Sequence, residues 1–182
     1  MTGDAPDYVE PVVGWRTWLV VKERDALVLR SVVFETVWRP RRELVARCEA
    51  RRGLLWRRLR NKPHETPSVS CECGIYAARE IAHVAGYLTV YEDLLRRSVV
   101  HRVLGQVSLW GTVVEGERGW RASHAYPARI YVPPRGAACR RVDPLEVAFE
   151  LGRYGVPVEI LDDGVHEDAE RVLAELAQHV AE

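Results

Sequence analysis

Apolar residues recur along this chain with two different periods. Gly14 to Lys22 is aromatic and β-branched, and the polar break Glu23-Arg24-Asp25 separates it from a second run of the same kind. Trp, Thr and Val favour extended chain, so the pattern predicts a hairpin of 14–22 with 26–33. A longer pair of runs follows. Val107, Leu109 and Val113 alternate within 99–115, Glu115-Gly116-Glu117-Arg118-Gly119 turns the chain, and 120–132 returns. This predicts the central hairpin, with Trp110 and Trp120 facing each other across it. Elsewhere the spacing is helical. Ile75, Ala78, Ile81, Ala82, Ala85, Leu88 and Leu94 predict an amphipathic helix from Gly74 to near Arg97. Asp143-Pro144 is a helix start, with Asp as N-cap and Pro in the first turn, and Gly155 ends that helix. A short strand over 156–161 and a helix over 166–180 complete the chain. The segment 41–60 fits a helix through Leu44, Val45, Cys48, Leu55, Trp56 and Leu59, although Leu44, Ala46 and Cys48 also alternate as in a strand. Asn61 to Pro67 reads as a loop and 68–73 as short and extended. The sum is an α+β fold: a mainly antiparallel, curved or partly closed sheet with three to four helices packed on it. Residues 1–12 read as a flexible lead-in and 13–182 as one domain.

Length and composition fit that picture. A chain of 182 residues is long enough to bury a core without staples. No apolar run reaches the roughly 18–20 residues of a membrane span, and the polar N-terminus lacks the features of a signal peptide. The expectation is therefore a cytoplasmic protein with no membrane partner. In a reducing compartment the four cysteines are thiols or metal ligands rather than disulfides.

Charge changes the picture more. Of 26 basic residues only Lys22 and Lys62 are lysine, a bias that fits a GC-rich bacterial genome. From Arg39 to Lys62 ten basic residues face only Glu43 and Glu49. From Asp143 onward eleven acids face only Arg153 and Arg171. A net charge of zero hides this asymmetry, which points to an anionic partner or to self-association through the opposed segments. Arg51, Arg52, Arg57, Arg58 and Arg60, interleaved with Trp38 and Trp56, are the candidate anion-binding residues, with nucleic acid as one partner. On the central hairpin, Arg121, His124, Tyr126 and Arg129 are candidates for a pocket mouth.

The chemistry concentrates around Cys71-Glu72-Cys73-Gly74. With His64 seven residues upstream of Cys71, and with Cys48, these thiols form a Cys₃His set of the kind that holds zinc. A strand over 68–73 would point Cys71 and Cys73 to one face. Cys139 stands apart. An alternative makes Cys73 or Cys71 a nucleophile, its pKa lowered at the start of the helix after Gly74, with His64, His83, His101 or His124 as base. The stretch Gly74-Ile75-Tyr76-Ala77, followed by a predicted helix and then by Val103-Leu104-Gly105-Gln106-Val107, resembles the ADP-ribosyltransferase superfamily. That resemblance implies transferase chemistry, with Tyr76 stacking on nicotinamide. The family's upstream His-Gly pair has no counterpart before His64, and 120–132 holds no glutamate for the catalytic position. The leading reading is a small binding or regulatory module with a Cys/His cluster and a basic face, rather than an enzyme. A protein–protein interaction domain without small-molecule chemistry is the remaining alternative.

Overall fold

The computed structural model of the chain describes residues 10–48, 64–88, 99–134 and 142–161. Eight strands form one sheet: β1 (Val12–Glu23), β2 (Ala26–Ser31), β3 (Val37–Trp38), β4 (Leu44–Val45), β5 (Ile75–Ala78), β6 (Val99–Gly116), β7 (Gly119–Val132) and β8 (Val158–Ile160). Both predicted hairpins form. β1 pairs antiparallel with β2, and β6 with β7.

The long strands close on themselves. β1 pairs β6 on one edge, β6 pairs β7, β7 pairs β5, and β5 returns to β1 through Trp15 opposite Ala78. β2 and β3 extend the sheet beyond β1, while β4 and β8 add to β7. Bulges curl the long strands, at Val20/Val21 between β1 and β6 and at Gln106/Val107 and Trp110/Val113 between β6 and β7. Pro127 sits opposite Val107 at one of these irregularities, where a residue without an N–H is tolerated. The ring is narrow where β1, β5 and β7 meet. A Cβ on Gly119 would lie 2.1 Å from the Ala77 carbonyl oxygen, and Gly119 has a φ of 152°, so both space and backbone demand glycine there.

Inside the ring lie Trp18, Val20, Val103, Val107, Leu109, Ala122, Ala125 and Ile130, all fully buried. Trp38 meets Trp18 edge to face at 5.6 Å. The helix α2 (Pro144–Leu151) starts where the sequence places it: Asp143 accepts a hydrogen bond from the Leu145 N–H at 2.9 Å, and Pro144 follows. It buries Val147 and Leu151 against the core, and Gly155 caps the following turn with a left-handed φ of 71°. Tyr154 then ties this element to the first hairpin. Its hydroxyl donates to the Trp38 carbonyl at 2.6 Å and accepts from the Leu29 N–H at 2.9 Å.

The expected α+β class is corrected. Strand makes up 51% of the structure, and among the described residues only α1 (Ala82–Ala85) and α2 are α-helices, so three to four helices do not pack on the sheet. The helix expected from Gly74 is instead β5 followed by the single turn α1 and a 3₁₀ turn, Gly86–Leu88. The reason is tertiary. Ile75 and Ala77 also alternate, and the edge of β7 at Gly119–Ala122 offers them a ladder and a core to face. Leu44–Val45 is likewise a strand, paired to β7. The rest of the 41–60 helix and the 166–180 helix lie mostly or wholly outside the described residues. The two tryptophans do not face each other. The irregularity after Trp110 puts it opposite His124, and Trp120 opposite Glu115. No helix among the described residues is long and apolar enough to cross a membrane.

Candidate metal centre

Three pieces of chain converge beside the end of β5. Cys48 arrives just after β4, whose continuation is fixed by the Ala46 N–H donating to the Ser123 carbonyl of β7 at 2.7 Å. His64 opens a non-repetitive segment that reverses at 68–71, where the Cys71 N–H donates to the Ser68 carbonyl at 3.1 Å. Cys73 leads into β5 through Gly74. That glycine has a φ of 124°, and a Cβ on it would press on Arg121 and Pro67 at 3.0 Å each. The expected strand over 68–73 is therefore a turn. It still directs Cys71 and Cys73 to the same point.

The four ligand atoms of Cys48, His64, Cys71 and Cys73 lie within 4.8 Å of one another. Cys48 Sγ and Cys71 Sγ are 3.8 Å apart, and His64 Nε2 is 3.3 Å from Cys73 Sγ. A tetrahedron with metal–sulfur bonds of about 2.3 Å separates neighbouring sulfurs by ~3.8 Å, and a shorter metal–nitrogen bond brings nitrogen slightly closer. A disulfide would need about 2.05 Å. The group can hold a metal ion, with four protein side chains as its ligand set. Burial pushes the Cys73 thiol up, but hydrogen bonds from His64, the Ser68 backbone, Cys71 and Thr66 outweigh it and bring the pKa from 9.0 to about 7. A lowered thiol pKa favours the thiolate that a metal requires.

Arg121 braces the turn from β7. It stands opposite Tyr76 in the ladder, and its Nη1 donates to the carbonyl oxygens of Cys71 and of Cys73, the latter at 3.0 Å. The Tyr76 hydroxyl donates to the Glu72 carbonyl at 2.5 Å. These bonds satisfy the carbonyls of 71–73 and leave the thiols free to turn toward Cys48 and His64. Sequence reasoning placed Arg121 only at a pocket mouth, because its partner is set by strand register and lies some fifty residues away. Of its expected companions, His124 stacks on Trp110 at 6.0 Å, the Tyr126 hydroxyl donates to the Tyr154 carbonyl at 2.8 Å, and Arg129 pairs with Glu159 at 2.6 Å.

The other candidate chemistries fare differently. No helix begins at Gly74, so the helix-dipole argument for a nucleophilic Cys73 has no basis; of the candidate bases His64 lies 3.3 Å from Cys73 Sγ, while His83, His101 and His124 are not part of the cluster. Tyr76 lies on β5, with the single turn α1 after it in place of the long helix expected directly from Gly74. Compared with protein-family models, with curated proteins and with solved structures, the chain matches none. Arg51, Arg52, Arg57, Arg58, Arg60 and the acidic run after 161 lie outside the described residues. Of the basic run, Arg39 is engaged with Glu23, while Arg41, Arg42 and Arg47 are exposed.

Proposed function

We propose that this chain is a binding module whose cysteine-bearing loop is stapled by a structural zinc ion on Cys48, His64, Cys71 and Cys73. The observation that carries the reading is the convergence of three thiols and one imidazole, their ligand atoms within 4.8 Å of one another. Three thiolates with one imidazole suit zinc better than a hard cation such as magnesium or calcium. Four protein ligands and no open position fit a structural rather than a catalytic role. The arginine run 39–62 supports an anionic partner for the module, nucleic acid included.

The test is metal analysis of protein purified under reducing conditions. One zinc per chain is expected. Cys71→Ser combined with Cys73→Ser should abolish it and lower the melting temperature, whereas Cys139→Ser should retain both. Metal-free protein, or a double variant with unchanged metal content and melting temperature, rejects the proposal.

A further inference from the structure

Among the described residues Arg16 has no counter-ion, and it is set in the wall of a large open cleft. It projects from β1 on the same face as Trp18, and its guanidinium carbon lies 5.1 Å from the centre of the Trp38 ring. Among the described residues its two acceptors are neutral. Nη1 donates to the Tyr76 carbonyl and Nη2 to the Ser31 hydroxyl at 3.0 Å. Ser31 is held in turn by the Trp38 Nε1–H, also at 3.0 Å. The Nε of Arg16 is screened from solvent and has no hydrogen-bond partner, and among the described residues no carboxylate pairs with this side chain. A guanidinium has five N–H donors, so this one is fixed in place with donors unspent. Burial lowers its pKa to about 10, partly offset by Tyr87, and it stays charged at neutral pH.

The cleft around it measures about 1410 Å³ and is open to solvent. Arg39, Arg42, Arg47, Arg118 and Arg121 line it as well as Arg16, against Glu35, Glu43 and Glu72, and at one end it reaches the thiols of the candidate metal centre. Its walls also expose large apolar side chains: Val33, Phe34, Val45, Tyr76 and Tyr87 all line the cleft and are all exposed. A partly desolvated charge with no ion partner is costly, and an anion that meets it recovers part of that cost on binding. Planar, bidentate recognition of carboxylate or phosphate is what a fixed guanidinium does best. The apolar walls ask for a ligand body that loses water readily.

We infer that this cleft binds a small organic anion, with an aromatic or apolar body against the walls and a carboxylate or phosphate head on Arg16. The inference goes beyond the zinc proposal and does not depend on it.

The probe is 8-anilinonaphthalene-1-sulfonate, with its uncharged analogue N-phenyl-1-naphthylamine, titrated into the full chain with zinc supplied. The sulfonate should bind at one site and more tightly than the neutral probe. Arg16→Gln should weaken the sulfonate at least tenfold and leave the neutral probe within twofold. Equal weakening of both, or of neither, overturns the inference. Metal content is measured on the same samples, so lost probe binding with zinc retained reports on the cleft and not on the metal centre. If Arg16→Gln does not fold, displacement from the wild-type chain decides. Phenyl phosphate or benzoate should displace the sulfonate where benzyl alcohol does not, and the stronger of the two identifies the head group. Displacement by neither small anion, or by a DNA duplex alone, overturns the inference.

Discussion

The strands β1, β6 and β7 and the segment 64–74 lie side by side and are held by different forces. In the strands, long ladders broken only by bulges join each pair, and the side chains between them, Trp18, Val107, Leu109 and Ile130, are wholly excluded from water. In 64–74 there is no strand, Val69 is 86% exposed, and the organised contacts are a few hydrogen bonds and the Cys/His cluster. Apolar burial contributes about 25 cal/mol per Å², which the ring has in abundance and the turn does not. A segment that buries little must be ordered by something else, and a metal on the Cys/His cluster would do that directly.

The largest effect should come from charging the ring. Val107 is fully buried between Gly14 and Pro127. Val107→Asp places an unpaired carboxylate there at a cost of several kcal/mol, against a total stability of about 5–15 kcal/mol. The variant should be largely unfolded by circular dichroism at 25 °C. If it melts near the wild-type temperature, the ring does not carry the stability.

Chelation should strike the other region. Removing metal with a strong chelator is expected to speed amide exchange across 64–74 at least tenfold, with β6 and β7 protected as before. Uniform acceleration over both regions would mean that ring and loop open as one unit.

A smaller effect sharpens the description of the ring itself. His101 is buried in β6, and burial, outweighing hydrogen bonds to the backbone, lowers its pKa from 6.5 to about 4. Its folded pKa lies below that of the unfolded chain, so the unfolded state binds more protons between these two values. Stability is therefore complete above about pH 6.5 and declines as pH falls toward 4. The loss should reach about 2 kcal/mol by pH 5, from 1.36 kcal/mol per unit. Denaturant titrations at pH 7 and pH 5 should show this loss in the wild type and a flatter profile in His101→Gln. Equal slopes would assign the acid sensitivity to other groups.

Both hairpins were legible in the sequence because alternation of β-branched and aromatic residues is a local signal, and Asp143-Pro144 with Gly155 marked one helix for the same reason. The segment after Gly74 was not legible. Ile75, Ala78 and Ile81 fit a helix as well as Ile75 and Ala77 fit a strand, and the choice was made by a free edge of β7 more than forty residues downstream. In the candidate metal centre, residue chemistry alone singled out Cys48, His64, Cys71 and Cys73. It did not reveal the turn that gathers them or the two carbonyls that Arg121 holds.

The amino-acid sequence by itself determined which segments favour extended chain and which residue types can ligate a metal, since both follow from side chains within a few positions of one another. Tertiary structure alone decided the closure of β1, β6, β7 and β5 into a ring, the replacement of the expected helix by β5, and the isolation of Arg16 among neutral acceptors. Each of these depends on pairing between strands far apart in the chain, and no periodicity in the sequence records which distant edge a strand will meet.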